Sequence, residues 1–231
     1  MFRALPLLLL IACATVGGVQ TANTAGQGTL QIAAEPGLQV LAGKPAIQLY
    51  PHFDVAVRYG FTDRLDLGLR AGWSFLETQG KYQLTGPANK KFVVSLAPTV
   101  GGVVQTSTGV DVLGAVLTAS TPVLFGIGAG VHQLVLGVRS QHFIFIGNGA
   151  PLNMPTYLLA VGGSIGFALR FSDALTLLPE LAAVWPVYGG LPVTRTDGVN
   201  ADFLYGAAHI GIWQLKLGFI LDRKTGFSPK K

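Results

Sequence analysis

His52 and Asp54 stand two residues apart in a stretch whose side chains alternate between apolar and polar. On a β-strand that spacing puts both on one face, and an imidazole beside a carboxylate is the acid/base pair a hydrolase acting on lipid or peptide would use. The nucleophile is the missing part. No serine accompanies the pair at a recognisable spacing, so His52 is expected to be a polar interior residue and no enzyme activity is expected. His132, His142 and His209 lie far apart without metal-ligand spacing, so neither a metal nor a cofactor is expected. The run Gly126-Ile127-Gly128-Ala129-Gly130 is followed by no helical pattern, and it reads as turn glycines rather than a nucleotide fingerprint.

The remaining candidates are charges on the polar phase of alternating stretches. From Ala46 to Tyr59, the residues Ile47, Leu49, Phe53, Val55, Val57 and Tyr59 share one face, opposite Gln48, Tyr50, His52, Asp54 and Arg58. After a turn at Gly60 to Arg64, Leu65, Leu67, Leu69, Ala71 and Trp73 oppose Asp66, Gly68, Arg70, Gly72 and Ser74. Carried along the chain, this phase predicts an inward set of Asp54, Arg58, Asp66, Arg70, Lys81, Arg139, Arg170, Glu180 and Lys216. Six of these are cationic and three anionic. Buried charges must be paired, so a structural network is the first expectation, with Asp54, Asp66 and Glu180 each bonded to a cation of a neighbouring strand. A narrow aqueous path with this cationic excess is the alternative, and it would favour small anionic solutes.

Composition says what encloses such a set. Of the 231 residues 50% are hydrophobic and 12% charged, with mean hydropathy +0.49, against about 25% charged in ordinary soluble domains. Past the first dozen residues no run of roughly 18 apolar residues occurs, so helical membrane spans are not expected. The 31 glycines and 13 prolines favour strands and turns. The net charge of +5 is scattered rather than gathered into a stripe, which argues against nucleic acid as a partner.

The expected fold is all-β: a closed antiparallel transmembrane β-barrel of about ten strands, eight being the runner-up. The candidate strands are Thr29 to Glu35, Ala46 to Tyr59, Leu65 to Ser74, Thr78 to Thr85, Phe92 to Val104, Val110 to Leu124, His132 to Ile146, Tyr157 to Phe171, Leu175 to Trp185 and Phe203 to Leu221. Val110 to Ala119 reads equally as a short helix. The inner phase of Tyr157 to Phe171 is nearly all small, leaving space for charged side chains from other strands. A faint repeat relates Arg58-Tyr59-Gly60-Phe61-Thr62-Asp63-Arg64-Leu65 to Arg170-Phe171-Ser172-Asp173-Ala174-Leu175, each an aromatic followed by a Ser/Thr-Asp turn. Both read as tight periplasmic hairpins, and the six strands between them satisfy the required even number.

Arg3 and the apolar run Ala4 to Ala12 have the form of a secretory signal, expected to span residues 1–12. Leu10-Ile11-Ala12-Cys13 resembles the lipobox of bacterial lipoproteins, which implies that Cys13, the chain's only cysteine, carries the lipid; Ala12-Cys13-Ala14 equally fits simple cleavage after Ala14. Residues 13–28 are then expected as a flexible tether, 29–221 as the barrel and 222–231 as a basic C-terminal tail.

The strings RYGFTDRLDLGLR, GKYQL and GGSIGFALRFSDALTLLPEL resemble the hairpins of small bacterial outer-membrane β-barrel proteins, including lipoprotein-type versions that are largely uncharacterised. The resemblance is one of pattern over most of the mature chain. It implies a barrel in the cell outer membrane, with membrane lipids as neighbours and a structural or narrow, porin-like role. The chain departs from the usual aromatic terminal residue, since Asp222 to Lys231 follow Leu221. Two rivals stand beside this reading: a lipid-tethered soluble β-sandwich or lipocalin-like binder, and a barrel enzyme acting on lipid.

Overall fold

The structure, a computed structural model, describes residues 17–42, 47–72, 75–86, 91–106, 113–129, 131–147, 157–189, 192–194, 200–202 and 211–225. The alternating stretches form strands β1 (Thr29–Ala42), β2 (Ile47–Gly60), β3 (Leu65–Ala71), β4 (Phe75–Gln83), β5 (Phe92–Leu96), β6 (Thr99–Thr106), β7 (Leu113–Ala129), β8 (His132–Gly147), β9 (Tyr157–Arg170), β10 (Leu175–Gly189), β11 (Pro192–Thr194), β12 (Asn200–Asp202) and β13 (Gly211–Lys224). β5 and β6 are one strand interrupted at Ala97-Pro98, where proline has no N–H to offer a ladder. There the Pro98 carbonyl accepts from the Gly80 N–H at 2.9 Å, and the Ala97 N–H donates to the Pro122 carbonyl at 2.9 Å. β11 and β12 pair antiparallel in a separate two-stranded sheet.

With β5 and β6 taken together the wall has ten strands, each antiparallel to its neighbours. The ring closes between β1 and β13, in register from Thr29↔Lys224 to Ala42↔Gly211. The two hairpins of the repeat adopt the same turn. Phe61 and Thr62 donate their N–H groups to the Leu65 carbonyl at 2.9 and 3.3 Å, and Phe171 and Ser172 donate theirs to the Leu175 carbonyl at 3.0 and 3.3 Å.

Three expectations change. The stretch from Val110 that reads equally as helix is part of strand β7 within its described residues. The first strand runs to Ala42 rather than Glu35. Residues 222–224, expected as the start of the tail, are the last rungs of the closing ladder, with Leu30 opposite Arg223 and Gln31 opposite Asp222. The expected signal segment 1–12, Cys13, residues 203–210 of the expected last strand and residues 226–231 of the tail lie outside the described residues.

The outer face is apolar. Leu49, Phe53, Val55 and Val57 of β2, Leu67 and Leu69 of β3, and Leu215, Leu217, Phe219 and Leu221 of β13 are all exposed. Aromatic rings bracket this belt. Trp185 and Trp213 meet edge-on at 5.2 Å near the loop end, and Tyr59 and Phe61 meet edge-on at 5.1 Å at the turn end. From Tyr59 up to Leu49, β2 covers the roughly 9–11 residues that a tilted strand needs to cross a bilayer.

Val55 lies near the middle of that span and faces outward, 41% exposed. Its neighbour Ala56 is fully buried against Val19, Ala33, Ala168, Leu178 and Ile220, so the lumen has no room for a long side chain there. Val55→Arg should therefore lower folding stability in lipid by roughly 2–4 kcal/mol, while Leu49→Arg, close to the interface, should cost about 0–1 kcal/mol. Urea titration of the protein folded into vesicles reads both, and equal costs at the two positions would contradict this depth assignment.

Candidate functional site in the barrel lumen

Ten strands enclose more space than their own inward side chains fill here, because much of the inner face is small: Ala33, Ala56, Gly126, Ala168 and Gly218 among others. Residues Gly17–Gly28, expected as a flexible tether, occupy that space. The segment runs down the lumen, turns at the rim through Gly26 and Gly28, whose φ angles are +84° and +72°, and feeds into β1. The Gly28 N–H donates to the Gly60 carbonyl at 2.9 Å, and the Thr29 N–H to the Gly26 carbonyl at 3.2 Å. A Cβ on Gly60 would sit 1.9 Å from the Gly26 carbonyl oxygen, so the wall needs glycine where the segment enters.

The wall grips this segment by its backbone. Lys216 Nζ donates to the Gly17 carbonyl at 2.6 Å, and Arg70 Nη1 donates to the same oxygen. Arg58 Nη2 donates to the Val19 carbonyl at 3.0 Å, Lys81 Nζ to the Thr21 carbonyl at 3.4 Å, and Ser95 Oγ to the Ala22 carbonyl at 2.5 Å. Going the other way, the N–H groups of Gly17, Ala22 and Thr24 donate to the amide oxygens of Gln214, Gln133 and Gln83 at 2.8, 3.1 and 3.3 Å. The Ala25 N–H donates to the Asp66 carboxylate at 2.9 Å. Between these bonds two apolar contacts fix the register. Val19 packs among Ala33, Ala56, Ala168, Leu178 and Ile220, and Ala22 packs among Val93, Ala97 and Leu124.

Along the segment lies the charge network. Lys216 Nζ bridges Asp54 Oδ2 at 2.5 Å and Glu35 Oε2 at 3.0 Å. Arg58 and Arg70 also approach Glu35, at 3.6 and 3.8 Å, and Arg70 pairs with Glu77 at 3.1 Å. Lys81 pairs with Asp66 at 3.2 Å, and Arg139 lies 3.9 Å from Glu180. Arg139 also donates to Ser164 Oγ at 3.0 Å. All three sequence-predicted acids thus face cations, but only Asp66 and Lys81 sit on adjacent strands. Lys216 reaches Asp54 across β1, and Arg139 reaches Glu180 across β9.

One predicted member lies elsewhere. Arg170 has the inward phase but sits at the turn end of β9, past the enclosed lumen, where it is exposed and pairs with Asp173 of its own turn at 3.2 Å. Two acids were missed, Glu35 and Glu77, both buried. Each carries a legible signal: Glu35 is in phase with Gln31 inside the expected first strand, and Glu77 is in phase with Lys81 once β4 starts at Phe75 rather than Thr78. The buried charges of the lumen among the described residues are therefore Arg58, Arg70, Lys81, Arg139 and Lys216 against Glu35, Asp54, Asp66, Glu77 and Glu180. The expected cationic excess is absent from this balanced set.

His52 and Asp54 do share the inward face, with Nδ1 3.5 Å from Asp54 Oδ1. Asp54 is taken up by Lys216, and the far ring nitrogen of His52 lies 2.8 Å from the Gln214 amide nitrogen. Beside the segment there remains a cavity of about 20 Å³ open to the centre of a water molecule, room for about one water. Gln20, Arg70, Glu77, Ser120, Arg139 and Gln141 are among the residues lining it.

No protein-family model and no curated protein matches this chain. Several solved structures are similar to it. The neisserial surface protein A is 9% identical, with 84% of this chain and 99% of that chain covered and a TM-score of 0.33. The translocator domain of the autotransporter NalP from Neisseria meningitidis is 10% identical, over 95% and 94% of the two chains, with a TM-score of 0.41. An outer membrane channel from Pseudomonas putida F1 is 11% identical, over 90% and 100%, with a TM-score of 0.41.

What places this chain in a membrane is its own surface. A closed ring leaves no strand edge to satisfy, its outside is an apolar belt between aromatic girdles, and its inside holds the charges. That combination is a transmembrane β-barrel of the outer-membrane type. A soluble sandwich or lipocalin-like binder would need the opposite arrangement, with the apolar phase inside.

Lys216 is the residue on which this network turns. Lys216→Met should lower stability by roughly 3–5 kcal/mol, since it leaves Glu35 and Asp54 buried without their closest cation. The exposed Arg170→Met should leave the melting point unchanged. The temperature at which the compact band is lost on unboiled gels checks both, and a wild-type midpoint for Lys216→Met would remove the network from its structural role.

Proposed function

We propose that this chain is a narrow pore-like outer-membrane protein held closed by its own segment 17–27, and that it carries no catalytic activity. One observation supports this most: the segment fills the lumen yet, apart from its continuation into β1, is joined to the wall by hydrogen bonds and small apolar contacts, while the wall closes without it through the β1–β13 ladder. Withdrawing the segment leaves the barrel intact and clears its axis. With equal numbers of buried acids and bases, the cleared path has no built-in preference for anions.

Cys13 has two readings, the lipid anchor of the lipobox and the middle of a cleavage site after Ala14. Metabolic labelling separates them: incorporated fatty acid on the wild type that is lost in Cys13→Ala supports the anchor, and an unlabelled wild type supports cleavage after Ala14.

Gating is tested in planar bilayers. Wild type should show little steady conductance. A Cβ on Gly18 would lie 2.6 Å from Arg70 Nη1, so Gly18→Trp should expel the segment and give steady current. Conversely, a Cβ on Gly218 would lie 2.9 Å from Val19 Cβ, so a Val19→Cys, Gly218→Cys pair in a Cys13→Ser background needs a shift of under about 1 Å to reach disulfide geometry. Oxidised, that protein should stay silent. A folded Gly18→Trp protein that is also silent would show that the segment is not what closes the pore.

A further inference from the structure

The groups by which the wall holds residues 17–25 are ones that every polypeptide carries. Wall side chains take the carbonyls of Gly17, Val19, Thr21 and Ala22 and the N–H groups of Gly17, Ala22, Thr24 and Ala25. Contacts to the segment's own polar side chains are few: Thr24 Oγ1 donates to the Asp63 carbonyl at 2.7 Å and to Gln83 Oε1 at 3.3 Å, and the Gln20 side-chain oxygen, though buried, has no hydrogen-bond partner among the described residues. Recognition is thus of an extended main chain, and selectivity comes from space. A Cβ on Gly17 would meet Glu180 Oε1 at 2.7 Å, and one on Gly18 would meet Arg70 Nη1 at 2.6 Å, so a larger residue at either position must push aside the end of a charged side chain of the network. Val19 enters a dent that exists because residue 218 is glycine, where a Cβ would stand 2.1 Å from Val19 Cγ1. Ala22 lies against Gly126, where a Cβ would stand 2.7 Å from the alanine methyl. The two dents lie in different parts of the wall, β13 and β7, and together set the register of whatever chain lies between them.

We propose that the lumen is a binding site for an extended polypeptide with the pattern Gly-Gly-Val followed three residues later by Ala, filled in cis by residues 17–25 and able to take such a segment from a second molecule. The inference rests on the reading of the segment as a removable plug. Attachment to β1 keeps the cis segment at a high effective concentration, on the order of millimolar for a short connection, so a free peptide binds measurably only once the cis segment is displaced.

The experiment uses the full chain carrying Gly18→Trp, with its folded state established by heat-modifiable migration, and Val19→Asp as a second displacing variant. A fluorescent peptide with the sequence of residues 17–25 is titrated onto each in detergent. Saturable binding to the displaced variants is expected, with binding to wild type at least about tenfold weaker because its site is full. A control peptide carrying the Val19→Asp change should bind about tenfold or more weakly than the parent peptide. Absence of saturable binding, equal binding of the control peptide, or binding to wild type as tight as to Gly18→Trp each overturns the proposal. The outcome separates from that of gating: peptide binding to a Gly18→Trp protein that is silent in bilayers would retain the site and discard the plug as the gate.

Discussion

A bilayer core offers no water to a backbone N–H or carbonyl, so a chain that crosses as strands must satisfy every one of these groups in a closed ladder. The rest of this molecule follows from that constraint. Closure requires the ring to be completed between β1 and β13, which brings the start of the barrel beside its end and makes residues 222–224 wall rather than tail. Closure also creates an inside, and an inside in a membrane must be filled or wet. Small residues on the inner face make the lumen wide enough for one extended chain, and the segment preceding β1 is placed at the rim where it can turn in.

Entry of that segment changes what the lumen charges do. Lys216, Arg58, Arg70 and Lys81 each combine a carboxylate within ion-pair distance with a carbonyl of residues 17–21, so the same cations neutralise the acids and satisfy the segment. An isolated buried ion pair is a poor source of stability, because desolvation offsets the attraction. Here the same cations also donate to the carbonyls of the segment, which uses donors that would otherwise be buried unpaired, although among the described residues Glu35 Oε1, Asp54 Oδ1 and Glu180 Oε1 accept no hydrogen bond. The balance of acids and bases has the same origin: a lumen filled by the segment penalises any charge left over.

The side chain at 52 illustrates how far spacing alone reaches. Two positions apart on a strand, His52 and Asp54 do share a face, as alternation requires. Whether such a pair is chemistry or scaffolding depends on what lies across the lumen, and there Lys216 on β13 takes the carboxylate while Gln214 meets the imidazole. Both partners are more than 160 positions away in sequence. Local spacing carries no information about them.

The sequence by itself determined the period of two, the inward or outward phase of nearly every strand, the number of strands, and the paired turns at Phe61 and Phe171. These are local properties: alternation and turn chemistry are written in neighbouring residues, and a polar phase against an apolar belt has one stable arrangement in lipid. Only the tertiary structure decided the rest. Arg170 obeys its phase yet lies beyond the lumen, because strand ends are set by where the ladder stops rather than by alternation. Glu77 joined the network because β4 starts at Phe75, earlier than its local pattern suggested, and Glu35, already inside the expected first strand, because closure brings Lys216 of β13 beside it. The small, polar run before β1 has the composition of a linker, and nothing local distinguishes a linker in water from one gripped by its backbone. That difference arises only when Gly126, Gly218, Arg58, Ser95 and Lys216, scattered along the chain, are brought by closure around the same few residues.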